Sequence, residues 1–380
     1  MSRLSVAIVG AGMGGLAAAA ALRSVGHEVA VYEQAGAFAR VGAGIQQSPN
    51  ALKVLRRLGL EQRLKEIAFQ PRMRCYREAA SGSILWERRH EDDFERKYGA
   101  PHLLLHRAEL HTALLSIVPS EIIHRSKKLT GYRQDSSRVT LSFADGTTAS
   151  ADVVIAADGV HSIMREQMLG TEKPRFTGRV AYRTTYPAAL LGGLQLEDST
   201  KWMSDDRHIV IYYVNPRKDE LYFVTSTPEP DFNVESWSQE GDLAQLRAAY
   251  AGFHPDVCAV LAACPKVHKW ALVERDPLPA WTDGRVALLG DACHPMTPYM
   301  AQGAATSIED AAIVARCLDG VGSGGVAEAL RLYERTRKPR TSWIQAVSSS
   351  NDIAQIRERQ DELYEYDAWT APLAQAALAS

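Results

Sequence analysis

Cysteine is scarce in this chain and follows no pattern. Five occur, Cys75, Cys258, Cys264, Cys293 and Cys317, and none forms a CxxC pair. An odd number without paired spacing argues against a disulfide framework and fits a reducing, cytoplasmic setting. No charge of one sign prevails: 43 Lys and Arg stand against 45 Asp and Glu, a net charge of −2. Nucleic acid and an anionic membrane are therefore not expected partners. No uncharged apolar run reaches the roughly 18 residues a spanning helix needs. The apolar start at residues 4–9 leads straight into glycines and reads as a first strand, not as a signal peptide. Internal repeats, low-complexity tracts and recognisable metal-ligand spacings are also missing. What is abundant is apolar surface: 46% of 380 residues are hydrophobic, enough for two or three folding units.

Periodicity divides the chain into two kinds of segment. Ser5–Val9 is a short apolar run ending at glycine, as a buried parallel strand does. Residues 12–25, rich in Ala and Leu, read as a helix stopped by Gly26, and residues 27–33 as a second strand, completing a βαβ unit. Residues 50–58 and 107–117 read as helices. Residues 153–157 and 286–289 read as buried strands, and 138–143 with a turn at Asp145-Gly146 as a hairpin. Residues 71–97 read as strands outside the nucleotide domain, and 181–274 as an antiparallel sheet. Residues 302–318 read as a helix, and the chain from Val326 onward as helical to its end. The expected fold is α/β. A Rossmann-like dinucleotide-binding domain is assembled from 1–70, 98–180 and 275–325. A β-sheet substrate domain from 71–97 and 181–274 is inserted into it, and 326–380 form C-terminal helices.

Two motifs carry chemistry. Gly10-Ala11-Gly12-Met13-Gly14-Gly15 matches GxGxxG between a strand and a helix. Gly10 allows the tight turn, Gly12 the approach of a pyrophosphate, and Gly15 close helix–strand packing, with the phosphates meeting the helix N-terminus. Glu33, at the end of the second strand, can accept from ribose hydroxyls. The second motif, Gly290-Asp291-Ala292-Cys293-His294-Pro295, follows the apolar run 286–289. Asp291 then sits at a strand carboxyl end, where open α/β sheets bind ligands, and can accept from the polyol chain of a flavin. Pro298 and Gln302-Gly303-Ala304 lead into a helix whose N-terminus could face the flavin's pyrimidine edge.

With Asp158-Gly159, Ser162 and Arg165 between them, these motifs make the whole chain resemble the single-component FAD-dependent aromatic hydroxylases. The resemblance implies bound FAD, and NADH or NADPH as a transient reductant for which no second glycine fingerprint is present. It implies that reduced flavin and O2 give a C4a-hydroperoxide that hydroxylates a ring. It assigns Arg107, Asp158 and the loop from Arg40 to Gly44 to the cofactor, and Pro295 and Pro298 to the approach to the flavin's reactive carbon. His294, in the same loop, invites a catalytic role.

The substrate implied is a small hydroxylated aromatic or N-heteroaromatic carboxylate of the 6-hydroxynicotinate or salicylate type, with CO2 released if the attacked carbon bears the carboxylate. His208 and Tyr212 match pocket residues of the family. Four apart on a strand, they face the same side and could hold a ring hydroxyl and take its proton. The hydroxynicotinate branch has His at Gln46, Cys at Ser199 and His at Tyr299, so these substrate-binding positions depart from it. Competing expectations are a flavin oxidase or epoxidase of the same fold, and a non-catalytic flavin-binding protein. The chain is expected to act as a monomer or homodimer.

Overall fold

The computed structural model describes residues 3–39, 43–90, 92–232, 239–350 and 353–375. Its first sheet has six strands in the order Thr282–Asp283, Val286–Leu288, Val153–Ala156, Ser5–Val9, Glu28–Tyr32 and Ile123–His124. All pair in parallel except the Thr282–Asp283 edge. Ser5–Val9 lies at the centre, with Val6 opposite both Val153 and Val29. The apolar runs are continuous because helices cover this sheet. The helix Met13–Ser24 buries Ala17 through Ala21 and packs against the helix Gly303–Leu318, itself almost wholly buried. Small side chains on the first helix let the second come close.

The second sheet has eight strands in the order Gln239–Glu240, His268–Glu274, Arg175–Pro187, Glu220–Pro228, His208–Tyr213, Ser199–Met203, Met73–Glu78 and Ile84–Arg89. It is antiparallel apart from the pairing of Ser199–Met203 with Met73–Glu78. Its apolar body includes Tyr182, Tyr186, Ile209, Ile211 and Phe223.

The structure departs from the sequence expectations in four places. The strand Arg175–Pro187 crosses the expected boundary at 180–181, so the chain enters the second sheet earlier. Residues expected as strand before position 98 include the helix Asp92–Tyr98, where Phe94 and Tyr98 stand one turn apart and pack against Tyr364. Two helices, Leu243–Ala249 and Pro255–Ala263, interrupt the 181–274 sheet. Asp242 caps the first by accepting from Ala244 N and Gln245 N, and Leu246, Val257, Val260 and Leu261 form their buried faces. The C-terminal segment is not helical throughout. After Val326–Ser350, Ile353–Glu358 and Gln360–Glu365 the chain turns on Asp367, which accepts from Trp369 N, and runs through Pro372, which has no N–H for a helix.

The C-terminal helix Val326–Ser350 is tied to the first domain by buried charge. Arg337, fully buried, donates from Nε to Asp310 Oδ1 at 2.7 Å, and its Nη2 lies 2.7 Å from Glu309 Oε2. Glu309 also accepts from Arg340 and Asn50. Removing one partner of such a network leaves an uncompensated buried charge, which costs about 3–5 kcal/mol. Arg337→Met should therefore destabilise the protein by about that amount in denaturant unfolding. A loss below about 1 kcal/mol, the size of a surface pair, would contradict this account.

Candidate active site

Between the two sheets lies a cavity of about 430 Å³, the size of a small-molecule site. The ends of the parallel strands make one wall. Gly10, at φ 99°, turns the chain out of Ser5–Val9 so closely under Ala157 that a Cβ would strike its carbonyl. Gly15 lies equally close to the Gly10 carbonyl, and a Cβ on Gly14 would meet Leu289 Cδ2 at 2.7 Å. At Gly12 the Cβ position is open, and no side chain caps the helix Met13–Ser24 that starts there. Gly12, Met13 and Gly14 line the cavity, so an uncapped helix N-terminus, a ready anion site, stands in its wall.

Glu33 serves this turn directly. Its carboxylate accepts from Ala11 N and Ala35 N, each at 2.8 Å, and it does not line the cavity. The expected ribose contact is left to the lone pairs that the turn does not use. Arg107 and Asp291 do line the cavity. Burial in the cavity wall pushes Asp291 up, opposed by His294 and Arg107, and pushes Arg107 down, opposed by Asp291. Asp158 lies just behind, flanked by the lining residues Ala157 and Gly159. Burial raises its carboxyl; Oδ2 accepts from Met164 N at 3.3 Å and Oδ1 has no partner. Gly303 and Ala304, at the start of the helix Gly303–Leu318, and Pro298 also line the cavity. Gly44 lines it for a steric reason, since a Cβ would stand 2.5 Å from the Tyr222 ring and 2.7 Å from Tyr212 Oη. Arg40 lies outside the described residues. The donor set fits a flavin dinucleotide: helix N–H groups for phosphates, Asp291 for polyol hydroxyls, Arg107 for negative charge, and an unspent acceptor at Asp158.

The second sheet forms the floor. Strand register carries one row of side chains across it: Arg183 opposite Val224, Val224 opposite Val210, Val210 opposite Lys201, and Lys201 opposite Tyr76. Two valines are thus bounded by a cation at either side. His208 and Tyr212 flank Val210 along its strand, and both line the cavity. Four residues of extended chain span roughly 13 Å. The His208 ring meets Tyr299 edge-on at 5.3 Å, while Tyr212 packs on Tyr222 and reaches Gly44. They therefore stand at separate places along the floor. Burial holds the imidazole well below its ordinary value and the phenol well above. His208 is therefore held neutral and Tyr212 protonated.

Gln46, Ser199 and Tyr299 all line the cavity. Gln46 Oε1 lies 3.3 Å from His102 Nε2, and Tyr299 Oη shares a hydrogen bond of 2.9 Å with Ser226 Oγ. Pro295 does not reach the cavity. It is buried behind the loop, its carbonyl accepting from Gln345 Nε2 at 3.1 Å, and Pro298 is the proline on the cavity side. His294 is fully buried with Nε2 at 2.5 Å from Asp310 Oδ2, and does not line the cavity either. Cys293, His294 and Asp310 cluster closely, but Asp310 already faces Arg337 and accepts from Gly290 N at 3.1 Å. This cluster holds the loop. Sequence reading missed Arg74, Lys201, Arg183, Tyr222 and Trp270, all in the lining. Their signal was the every-second-residue spacing of Arg74 with Tyr76 and of Ser199 with Lys201.

A family model described as "FAD binding domain" matches residues 3–347. The chain is 43% identical over 377 residues to 6-hydroxynicotinate 3-monooxygenase of Bordetella bronchiseptica, covering 99% of this chain and 98% of that protein. Among solved structures, a salicylate hydroxylase substrate complex superposes with a TM-score of 0.83 at 27% identity, covering 97% of this chain and 96% of that one. Klebsiella pneumoniae HpxO complexed with FAD and uric acid superposes with a TM-score of 0.82 at 28% identity, covering 96% and 93%.

Asp291→Ala removes the one carboxylate among the described lining residues and should yield protein purified largely without flavin, read from the ratio of visible to ultraviolet absorbance. Full FAD occupancy in that variant would take Asp291 out of the binding set.

Proposed function

The chain belongs to the FAD-binding-domain family, as an FAD-dependent aromatic monooxygenase, and on that premise we propose that it uses NAD(P)H and O2 to hydroxylate a small hydroxylated aromatic or N-heteroaromatic carboxylate. The observation that carries this reading is the meeting, in one cavity, of a dinucleotide wall and a floor where a neutral imidazole stands beside cations and apolar side chains. The likeness to 6-hydroxynicotinate 3-monooxygenase supports a ring of that class.

Gly12–Gly14, Arg107, Asp291 and Gly303-Ala304 would hold FAD, which when bound would supply activated oxygen from O2 at the expense of NAD(P)H. His208, kept neutral, accepts a hydrogen bond from the ring hydroxyl and polarises its O–H bond, raising the electron density at the ortho and para carbons. Tyr212, which keeps its proton, donates to a second polar position on the ring. Val210, Val224, Tyr222 and Trp270 exclude water, so that the oxygen is delivered to the ring and not lost as H2O2. Pro298 adds no N–H to the cavity wall to compete for that oxygen. One oxygen atom enters the ring and the other leaves as water, with one NAD(P)H consumed. Where the attacked carbon bears the carboxylate, rearomatisation releases CO2.

The test is NADH and NADPH oxidation against a panel of hydroxylated pyridine and benzoate carboxylates, with H2O2 measured in parallel. A member of the panel should accelerate oxidation and be recovered hydroxylated. His208→Ala should keep FAD, lower product formation about 10²–10⁴-fold, and raise the share of NAD(P)H lost as H2O2. Wild-type turnover and coupling in that variant would remove His208 from the chemistry. Reductant consumption that yields only H2O2 with every substrate would identify an oxidase instead.

A further inference from the structure

A buried histidine stands behind Gln46. The strand Gly44–Gln47 pairs antiparallel with Leu103–His106, and Gln46 lies opposite Leu104. His102, two residues before Leu104, is its diagonal neighbour on the same face. Gln46 is half-buried and lines the cavity, whereas His102 is 2% exposed and is not in the lining. The two side chains meet through one contact, His102 Nε2 to Gln46 Oε1 at 3.3 Å. The other ring nitrogen, Nδ1, is buried and has no hydrogen-bond partner among the described residues. The rings of His90 and Tyr364 pack around this imidazole, 5.6 and 6.1 Å away between centres.

That asymmetry selects a tautomer. Burial, and after it the charge of Arg74, holds the ring well below its ordinary value, so it is neutral and carries one N–H. A proton on Nδ1 would be a buried donor with nothing to accept it, which native structures rarely tolerate. A proton on Nε2 is spent on Gln46 Oε1. With its carbonyl taken in this way, the Gln46 amide turns its NH2 group away from His102, and among the described residues nothing accepts from that group. Gly44, two residues earlier on the same strand face, looks at the Tyr212 hydroxyl, which a Cβ there would meet at 2.7 Å. Gln46 thus lies on the Tyr212 side of the cavity, and that phenol keeps its proton. Two donors, an amide N–H and a phenol O–H, stand at one end of the site.

We propose that His102 is a positioning residue that turns Gln46 donor-first into the cavity, so that Gln46 Nε2 and the Tyr212 hydroxyl together receive a carboxylate oxygen of the substrate while its ring hydroxyl meets His208. This rests on the hydroxylase reading above and adds the polarity of one end of the site. That end selects an acceptor and rejects a group that can only donate, such as a protonated ring nitrogen.

The test uses the FAD-loaded enzyme without reductant and two unreactive ligands of equal shape, benzoate and the poor acceptor nitrobenzene. Dissociation constants are read from the shift of the flavin absorbance on titration. Wild-type protein should prefer benzoate. Gln46→Leu should weaken benzoate about ten- to a hundredfold, the worth of a hydrogen bond to a charged group, and leave nitrobenzene unchanged. His102→Phe should weaken benzoate about three- to tenfold and add nothing once Gln46 is already leucine, because it acts only through that amide. His102→Gln, which keeps an N–H donor at similar reach, should restore most of the affinity. Nitrogen NMR spectra of histidine-labelled enzyme should show His102 as the Nε2–H tautomer at neutral pH, its signal identified by its loss in either His102 variant. FAD content and thermal unfolding report whether each variant is folded, and if His102→Phe is not, the spectra and Gln46→Leu decide. A proton on Nδ1, unchanged benzoate binding in Gln46→Leu, equal loss of both ligands, an effect of His102→Phe that persists in the Gln46→Leu background, or a wild type without preference for benzoate would overturn the proposal. If the variants discriminate as expected but no hydroxylated carboxylate is turned over, the hydroxylase reading fails and the donor end stands. If turnover is found but Gln46→Leu binds benzoate like wild type, the donor end fails and the hydroxylase reading stands.

Discussion

The buried contact between Arg337 and Asp310 is the interaction on which the site's geometry depends. Asp310 sits in the helix Gly303–Leu318 and uses one oxygen for Arg337 and the other for Gly290 N and the His294 ring. Burial alone would raise this carboxyl, but His294 and Arg337 outweigh it and hold it charged. One ion therefore fixes both ends of the loop that carries Asp291 to the cavity. A buried ion pair earns stability only when its remaining lone pairs and protons are satisfied, and here they are satisfied by the loop that must be positioned. His294, which looks catalytic in the sequence, is part of this brace.

The cavity separates two electrostatic tasks. The dinucleotide wall offers backbone N–H groups and the mutually compensating pair Arg107 and Asp291, suited to phosphates and a polyol. The floor offers cations, a neutral imidazole and apolar rows. Tyrosines join the two. Tyr299, from the loop after Asp291, bonds Ser226 on the second sheet. Tyr222, from that sheet, packs so close to Gly44 that no side chain could stand there. In a low-dielectric pocket such fixed groups act more strongly than they would in water.

The parts of the fold that could be read in advance were those with a strong local period. The strand Ser5–Val9, the helix Met13–Ser24 and the buried strand ending at Gly290 are each dictated by a run of one residue type and a glycine stop. The helices Asp92–Tyr98 and Leu243–Ala249 were missed because they are short. Their apolar spacing makes sense only against partners such as Tyr364 that come from distant parts of the chain. The end of the chain was read as helix by continuation, although Asp367 and Pro372 turn it aside.

The site divides in the same way. Gly10, Gly12, Gly15 and Asp291 were visible because a phosphate-binding turn and a strand-end carboxylate are local devices, built from consecutive residues. The sequence by itself determined a dinucleotide fold and the cofactor class. Tertiary structure alone decided that Pro298 and not Pro295 faces the cavity, that Glu33 first serves the glycine turn, and that His208 and Tyr212 stand apart. It also decided that Arg74 and Lys201 share a corner of the floor. Their strands are separated by more than a hundred residues and meet in parallel. The composition of such a corner is set by which side chains the register brings opposite one another, and that is not written in any local run of the chain.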